Sequence, residues 1–164
     1  MRQESDILLA EKNELMESSQ HISAEIRHLF SLATFIDLEP GMSNEFSEGL
    51  DHAIEHYGKQ ALRAIEDIVL SGKTKSAIAM EALQYVGSTD SSLWHNERRK
   101  TLERCLLESA SAWVRDGAGL GLASLDDPRS LQSVELAILN EPSEVLKDNL
   151  MLVRDQLLDS MLDS

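Results

Sequence analysis

Apolar side chains recur at helical spacing along nearly the whole chain, and this pattern most constrains the fold. Near the start, apolar residues stand every seven positions, at Leu8, Leu15, Ile22, Leu29 and Ile36. No proline or glycine interrupts this run before Pro40-Gly41. Because such spacing places side chains on one face of an α-helix, it predicts one long helix over about residues 4–38, or two helices joined near Ser18-Ser19.

The second stripe of this pattern is polar in its first part, at Lys12 and Ser19, and apolar later, at Ile26 and Ala33. A free-standing coiled coil needs both stripes to be apolar. We therefore expect the helix to pack on the rest of the domain, with homodimerisation through it as the alternative.

Glycines, prolines and cap residues divide the rest of the chain into further helices. Asp127 followed by Pro128 is typical of an N-cap and a first helical residue, and Gly72 is typical of a helix end. Asn140-Glu141-Pro142 marks another turn. The predicted helices span about 44–70, 74–86, 91–107, 110–125, 128–139 and 143–162, with a turn over 87–90.

The fold prediction is a single all-α domain over residues 1–164, because no segment shows strand alternation. Hydrophobic residues make up 42% of the chain and aromatic residues only 4%, a composition typical of helical proteins. We expect a helical extension over residues 1–40, followed by helical hairpins over 44–164.

The net charge of −14 argues against nucleic acid and against an anionic membrane surface as partners. The charge is uneven: residues 1–50 and 101–164 each carry a net −7, and residues 51–100 are neutral. Acidic ends of this kind favour either a basic protein partner or a solvated acidic surface.

The single cysteine, Cys105, excludes an internal disulfide, and its apolar neighbours predict a buried thiol in a reducing compartment. The run Ile7–Ala10 is too short for the apolar core of a signal peptide. No stretch approaches the ~18 apolar residues of a membrane span. We expect a cytoplasmic protein.

Gly117, Gly119 and Gly121 raise the question of a phosphate-binding loop. The dinucleotide motif needs a preceding strand and a third glycine at position 122, where Leu122 stands. We therefore interpret the glycines as helical. Gly117 and Gly121 share a face and predict the close approach of a neighbouring helix, and Gly119 faces elsewhere, towards a groove.

The hairpins show internal similarity. A shift of 31 residues lays 105–114 over 136–145, so that Val114 meets Val145. A shift of 36 pairs Ile78 with Val114, and Asp90 with Asp126. The first shift superimposes a helix end, a short turn and a helix start, so the repeating unit is a helical hairpin, present about two and a half times.

These repeats resemble the HEAT-like repeats of phycobilisome-lyase-type proteins, most clearly over residues 106–150. The resemblance implies a short right-handed α-α superhelix that binds proteins through the groove lined by the second helix of each hairpin. In this sequence Leu146 stands where the motif has an arginine, and residues 1–40 match no repeat. The residues that carry the resemblance are Val114-Arg115, Ala118, Leu122, Leu125, Asp127-Pro128-Arg129, Leu131 and the turn 140–145.

Five residues on the second helices are the candidate partner-binding residues: Trp113, Arg115, Asp116, Asp148 and Asp155. For Arg115 we also expect a structural ion pair with an acid of the next repeat, such as Asp148. Trp113, like Trp94, is either a core residue or a binding anchor.

Other candidate chemistry is sparse. His52 and His56 have the i, i+4 spacing of a metal pair, but Ala53 replaces the zincin glutamate and no third ligand is identifiable, so we predict neither metal nor cofactor. The basic cluster Arg98-Arg99-Lys100 is either a charged helix face, paired with Glu97 and Glu103, or a docking patch.

Without a convergent catalytic set, the sequence predicts a non-enzymatic protein-binding module or adaptor. One alternative is an acidic antidote or immunity-type protein that blocks a basic toxin or nuclease. The other, of a different class and drawn only from the family resemblance, is a bilin lyase or chaperone-lyase.

Overall fold

The computed structural model describes residues 2–39, 42–88 and 91–163, and within these ranges all regular structure is helical. This confirms the all-α prediction. Pro40-Gly41, Thr89 and Asp90, which we expected to lie in turns, fall outside the described residues. The described α-helices are α1 (Arg2–Ala33), α2 (Glu45–Tyr57), α3 (Lys59–Leu70), α4 (Ser76–Ser88), α5 (His95–Glu108), α6 (Ala112–Leu125), α7 (Leu131–Asn140) and α8 (Glu144–Leu162).

The helices after α1 lie in two rows. Each of α2, α4 and α6 packs against the next even-numbered helix, ending at α8. In the second row α3 packs against α5, and α5 against α7. Contacts between α5 and α6, and between α7 and α8, join the rows around a continuous apolar core. This arrangement suits stacked hairpins, and the right-handed superhelical course stays a prediction.

The α1 helix is continuous, which confirms one long helix rather than the alternative of two helices joined near Ser18-Ser19. It ends at Ala33 rather than near residue 38. Its second half packs on α2 and α3 through Ile22, Ile26 and Phe30. Its first half, residues 2–21, is exposed throughout. The expected packing on the domain therefore applies only to the second half of the helix.

The single helix predicted over 44–70 is broken at Gly58, which separates α2 from α3. Gly58 has φ 58° and ψ −123°, a conformation that residues with a Cβ rarely adopt. The ring of Trp94, the N-cap residue of α5, occupies the space that a side chain at position 58 would need. Gly58 thus gives the chain its turn and makes room for an aromatic ring from a distant element.

Glycines bring α4 and α6 into backbone contact. A methyl group added at Gly121 would lie 2.7 Å from the Leu83 carbonyl oxygen, and one at Gly117 would lie 2.8 Å from the Met80 Cα. Gly87 faces the backbone of Gly121 itself. The predicted packing role of Gly117 and Gly121 is confirmed, whereas Gly87, which we placed in a turn, lies inside α4.

The predicted N-cap at Asp127 is confirmed. Its side chain accepts a hydrogen bond from the backbone N–H of Arg129, and Pro128 begins a short 3-10 helix, Pro128–Ser130, that leads into α7. The Asp127 carboxylate also contacts the Arg129 guanidinium and His95 Nε2, at 2.7 and 2.9 Å. These partners, Arg129 above all, hold the Asp127 pKa far below its usual range.

Candidate functional site

A cleft of about 270 Å³ lies between the first turns of α6 and α8. The two helices begin in the same way. Ser111 caps α6 by accepting a hydrogen bond from the Val114 N–H, and Ser143 caps α8 by accepting one from the Leu146 N–H. These caps fix both helix starts, so that their first turns face each other. The cleft is lined by Ala112, Trp113, Asp116, Ser143, Val145, Leu146 and Asn149.

The capping serines correct the repeat register. Ser111 and Ser143 are 32 residues apart, not 31. At a shift of 32 the buried Val114 meets the buried Leu146, and the exposed Trp113 meets the exposed Val145. Lys147, rather than Leu146, then stands at the position of Arg115.

The first helices agree with this register. Leu102, Cys105 and Leu106 of α5 are buried. The residues 32 positions later, in α7, are buried as well: Val134, Ala137 and Ile138. The earlier shift of 36 also holds, since Ile78 and Ala82 are buried like Val114 and Ala118.

Arg115 links adjacent repeats, but its partner is Glu141 rather than the expected Asp148. Its guanidinium donates to both Glu141 carboxylate oxygens, at 2.8 and 3.0 Å, and to the Ser109 carbonyl at 3.0 Å. The prediction of Asp148 is wrong because Asp148 lies within α8, whereas Ser109 and Glu141 occupy equivalent turns at the ends of α5 and α7. Arg115 holds the pKa of Glu141 below its usual range. Arg115 is thus a structural residue.

Trp113 and Asp116 are the two candidate residues that the structure brings together in the cleft. Trp113 is 58% exposed. Asp116 is partly buried, which raises its pKa, and a hydrogen bond with the Asn149 side chain opposes that shift. The cleft therefore combines an exposed aromatic ring with a carboxyl group that protonates more readily than usual.

Asp148 and Asp155 do not line the cleft, and both are exposed on α8. Asp155 pairs with Arg154 at 3.2 Å. Because neighbours on a helix surface are three or four residues apart, Asp148 adjoins Val145 and Leu152, and Asp155 adjoins Leu152. The two carboxylates thus border the apolar residues of α8.

Val145, Asn149 and Leu152 were not among the predicted site residues. On α8 these residues share one face, and Val145 and Leu152 are 74% and 69% exposed. Their positions after the cap Ser143 could have indicated them, because Val145 and Leu152 match Trp113 and Leu120 at a shift of 32. The predicted shift of 31 did not align these residues. We call Trp113, Asp116 and Leu120 of α6 together with Val145, Asn149 and Leu152 of α8 the α6/α8 face.

The far end of this face is tied to α6. The Gln156 side chain donates to the Ala123 carbonyl at 2.7 Å and to Asp126 Oδ1 at 3.1 Å. Gly119, which we expected to serve a groove, instead approaches Leu150, since a methyl group there would lie 2.9 Å from Leu150 Cδ2. These contacts hold α6 and α8 at a fixed spacing beneath the exposed residues.

The three members of the basic cluster lie in different surroundings. Arg98 is fully buried and donates to the carbonyls of Leu93 and Val86, at 3.0 and 3.2 Å. Arg99 pairs with Glu103 at 3.1 Å, which confirms the expected pairing within α5. Lys100 lines a cleft of about 460 Å³ between α3 and α5. A shared charged face or docking patch is therefore wrong for Arg98, because its guanidinium lies inside the core.

The His52 and His56 rings are exposed and stack in parallel with centroids 5.8 Å apart. Among residues 2–39, 42–88 and 91–163, no group of three histidine, cysteine or acidic side chains could hold a metal ion. The Cys105 thiol is buried, as expected, and burial raises its pKa to about 12. A thiol with that pKa is a poor nucleophile at neutral pH.

Comparison of the chain with protein-family models, curated proteins and solved structures gave no match. The HEAT-like resemblance therefore stays a prediction from the residues given above. In the part of the chain that the structure describes, no helix is both long and apolar enough to cross a membrane.

Proposed function

We propose that this chain is a non-enzymatic protein-binding module, acting as an adaptor, and that the α6/α8 face binds its partner. One observation carries the proposal: Trp113, Val145 and Leu152 expose more than half of their surface on two adjacent helices. Large apolar residues clustered on a surface are a common feature of protein-binding sites, where tryptophan often contributes most of the binding energy.

The construction of the face supports this role. Ser111 and Ser143 cap the two helix starts, and Arg115 fastens their turns through Glu141. A face held by structural contacts loses little entropy when a partner binds. The placement of α4, α6 and α8 in one row also suits a groove lined by the second helices, as the resemblance implies.

The charge around the face favours a basic partner surface. Asp148 and Asp155 border the apolar residues of α8 and are exposed. The partner surface that fits best has an apolar anchor for the cleft beside Trp113, with lysine or arginine residues around it. An antidote that blocks a basic protein is one form of this proposal, and it requires partner binding that weakens strongly with salt.

The test begins with a photo-crosslinking amino acid placed at position 113, at 152, or at the control position 139. Leu139 is also highly exposed, but it lies on α7. We expect one protein from the native host to crosslink from positions 113 and 152 and not from 139. The crosslinked protein is then purified for binding measurements.

Affinity for that protein should fall at least tenfold in Trp113→Ala and in Leu152→Ala, as for central residues of an interface. Leu139→Ala should bind like the wild type. All three positions are exposed, so circular dichroism should show unchanged folding. Equal affinity of all three variants and the wild type would place the binding site elsewhere.

A further inference from the structure

The first half of α1 exposes a row of large apolar side chains to solvent. We call residues 2–21 the arm. Its large apolar side chains Ile7, Leu8, Leu9, Leu15 and Met16 are each at least 52% exposed. At 1.5 Å per residue, the arm is about 30 Å long. Most helices in proteins are stabilised by packing of an apolar face, and no such packing covers the arm among residues 2–39, 42–88 and 91–163.

The apolar stripe of the arm continues a buried face. Leu8 and Leu15 precede Ile22 at intervals of seven residues, and Ile22 is buried against the body. Ile26 and Ala33, which belong to the second stripe, are buried beside it. The arm thus presents to solvent the kind of surface that the second half of α1 buries, and a continuous helix cannot fold back to cover it.

A groove of about 390 Å³ lies between the end of α1 and the turn that joins α3 to α4. Phe30, Ile68 and Ile78 are its apolar lining residues, and none of the described residues that line it is acidic. Its cations have no ion-pair partner among the described residues. They are Arg27, Lys73 and Lys75. In a chain of net charge −14, three unpaired cations around an apolar floor indicate an acidic, apolar occupant.

The arm is both acidic and apolar, as the groove requires. Its apolar residues are interspersed with five carboxylates and only two cations, Arg2 and Lys12. The carboxylates are those of Glu4, Asp6, Glu11, Glu14 and Glu17.

We propose that two copies of the chain pair through antiparallel α1 helices, with the arm of each copy lying in the groove of the other. A two-fold axis satisfies both arms at once, because arm and groove lie on opposite halves of one helix. A crossing near residue 20 places the Ile7–Ala10 run of one copy beside residues 30–33 of the other. The carboxylates of the arm then approach Arg27, Lys73 and Lys75.

The test measures the mass of the full chain in solution by sedimentation velocity and light scattering over a range of concentrations. We expect a dimer of the 18.3-kDa chain. The arm variant Leu8→Glu/Leu15→Glu and the groove variant Lys73→Glu/Lys75→Glu should each raise the dissociation constant at least tenfold. The matched control Lys59→Glu/Lys100→Glu makes the same charge change in the α3/α5 cleft and should dimerise like the wild type.

A charge exchange tests whether arm and groove meet. Glu11→Lys/Glu14→Lys alone should weaken the dimer, and its combination with Lys73→Glu/Lys75→Glu should restore much of the lost affinity. A wild-type chain that stays monomeric overturns the proposal. So does a dimer that the arm variant disrupts and the groove variant does not, since the arms would then pair only with each other. Neither outcome bears on the α6/α8 face, which shares no residue with the arm or groove.

Discussion

At the residue scale, Arg98 shows how a charged side chain can belong to the core. The last carbonyls of a helix have no partner within it, and Arg98 donates to one of them, that of Val86 in α4. It also donates to the Leu93 carbonyl just before α5. A positive charge at the end of α4 interacts favourably with the helix dipole. The side chain thereby joins the end of one helix to the start of the next.

We expect Arg98→Ala to lower the free energy of unfolding by about 2–4 kcal/mol, because the buried Val86 carbonyl and the partly buried Leu93 carbonyl lose a charged donor and a cavity remains. Urea unfolding followed by circular dichroism measures this loss. Lys100→Ala, two positions along the same helix but exposed, should change stability by at most about 0.5 kcal/mol. Equal effects of the two substitutions would show that Arg98 contributes no more than a surface residue.

At the element scale, most helices were predicted well, because the residues that start, end and orient a helix lie close together in sequence. Apolar spacing and the cap at Asp127 placed most helices within a few residues of their observed bounds. The break at Gly58 was missed because a glycine can also stand within a helix, and the Trp94 ring that packs against Gly58 is distant in sequence. The role of Gly87 was missed for the same reason, since its contact is Gly121.

The residues of the α6/α8 face were predicted only in part, because the repeat alignment is ambiguous from sequence. Neighbouring leucines such as Leu106 and Leu107 allow two alignments of the repeats that apolar pattern alone cannot separate. Only Leu106 is buried, and the capping serines then fix the shift at 32. The partner in an ion pair likewise depends on distances between side chains in the fold, which the sequence does not give. For this reason Asp148 was predicted as the partner of Arg115 instead of Glu141.

The contact between α4 and α6 gives a prediction for Gly121→Leu. Leucine favours helix over glycine by nearly 1 kcal/mol, so propensity alone would stabilise the variant. The new side chain would instead meet the Leu83 carbonyl and the Leu102 side chain, at 2.7 and 2.8 Å already for its Cβ. We expect a net loss of about 3 kcal/mol or more, because a backbone carbonyl inside a helix cannot move aside easily.

The matched control for Gly121→Leu is Ser124→Leu, which adds the same side chain to an exposed position of α6. Thermal and urea unfolding should show the control close to the wild type. A Gly121→Leu protein as stable as the control would mean that α4 and α6 can separate at little cost, and that backbone contact does not determine their spacing.

At the scale of the whole molecule, salt should act in opposite directions on the fold, which carries a net charge of −14, and on the proposed contact between arm and groove. Like charges repel within a compact chain, so salt that screens them should stabilise the fold. The proposed pairing of the acidic arm with a cationic groove depends on attraction between opposite charges, which the same salt weakens. Varying the salt concentration can therefore separate the repulsion within the fold from the attraction between arm and groove.

The monomeric arm variant Leu8→Glu/Leu15→Glu isolates the effect on folding. Between about 10 mM and 0.5 M NaCl the screening length falls from about 30 Å to a few ångströms, so its melting temperature should rise by several degrees. Over the same range the dissociation constant of the wild-type dimer should increase. Adding Asp148→Asn, Asp155→Asn and Asp159→Asn, all at exposed positions of α8, should reduce the rise in melting temperature. If the melting temperature fell with salt, attraction within pairs such as Arg115–Glu141 would outweigh the repulsion, and the acidic surface would not destabilise the fold.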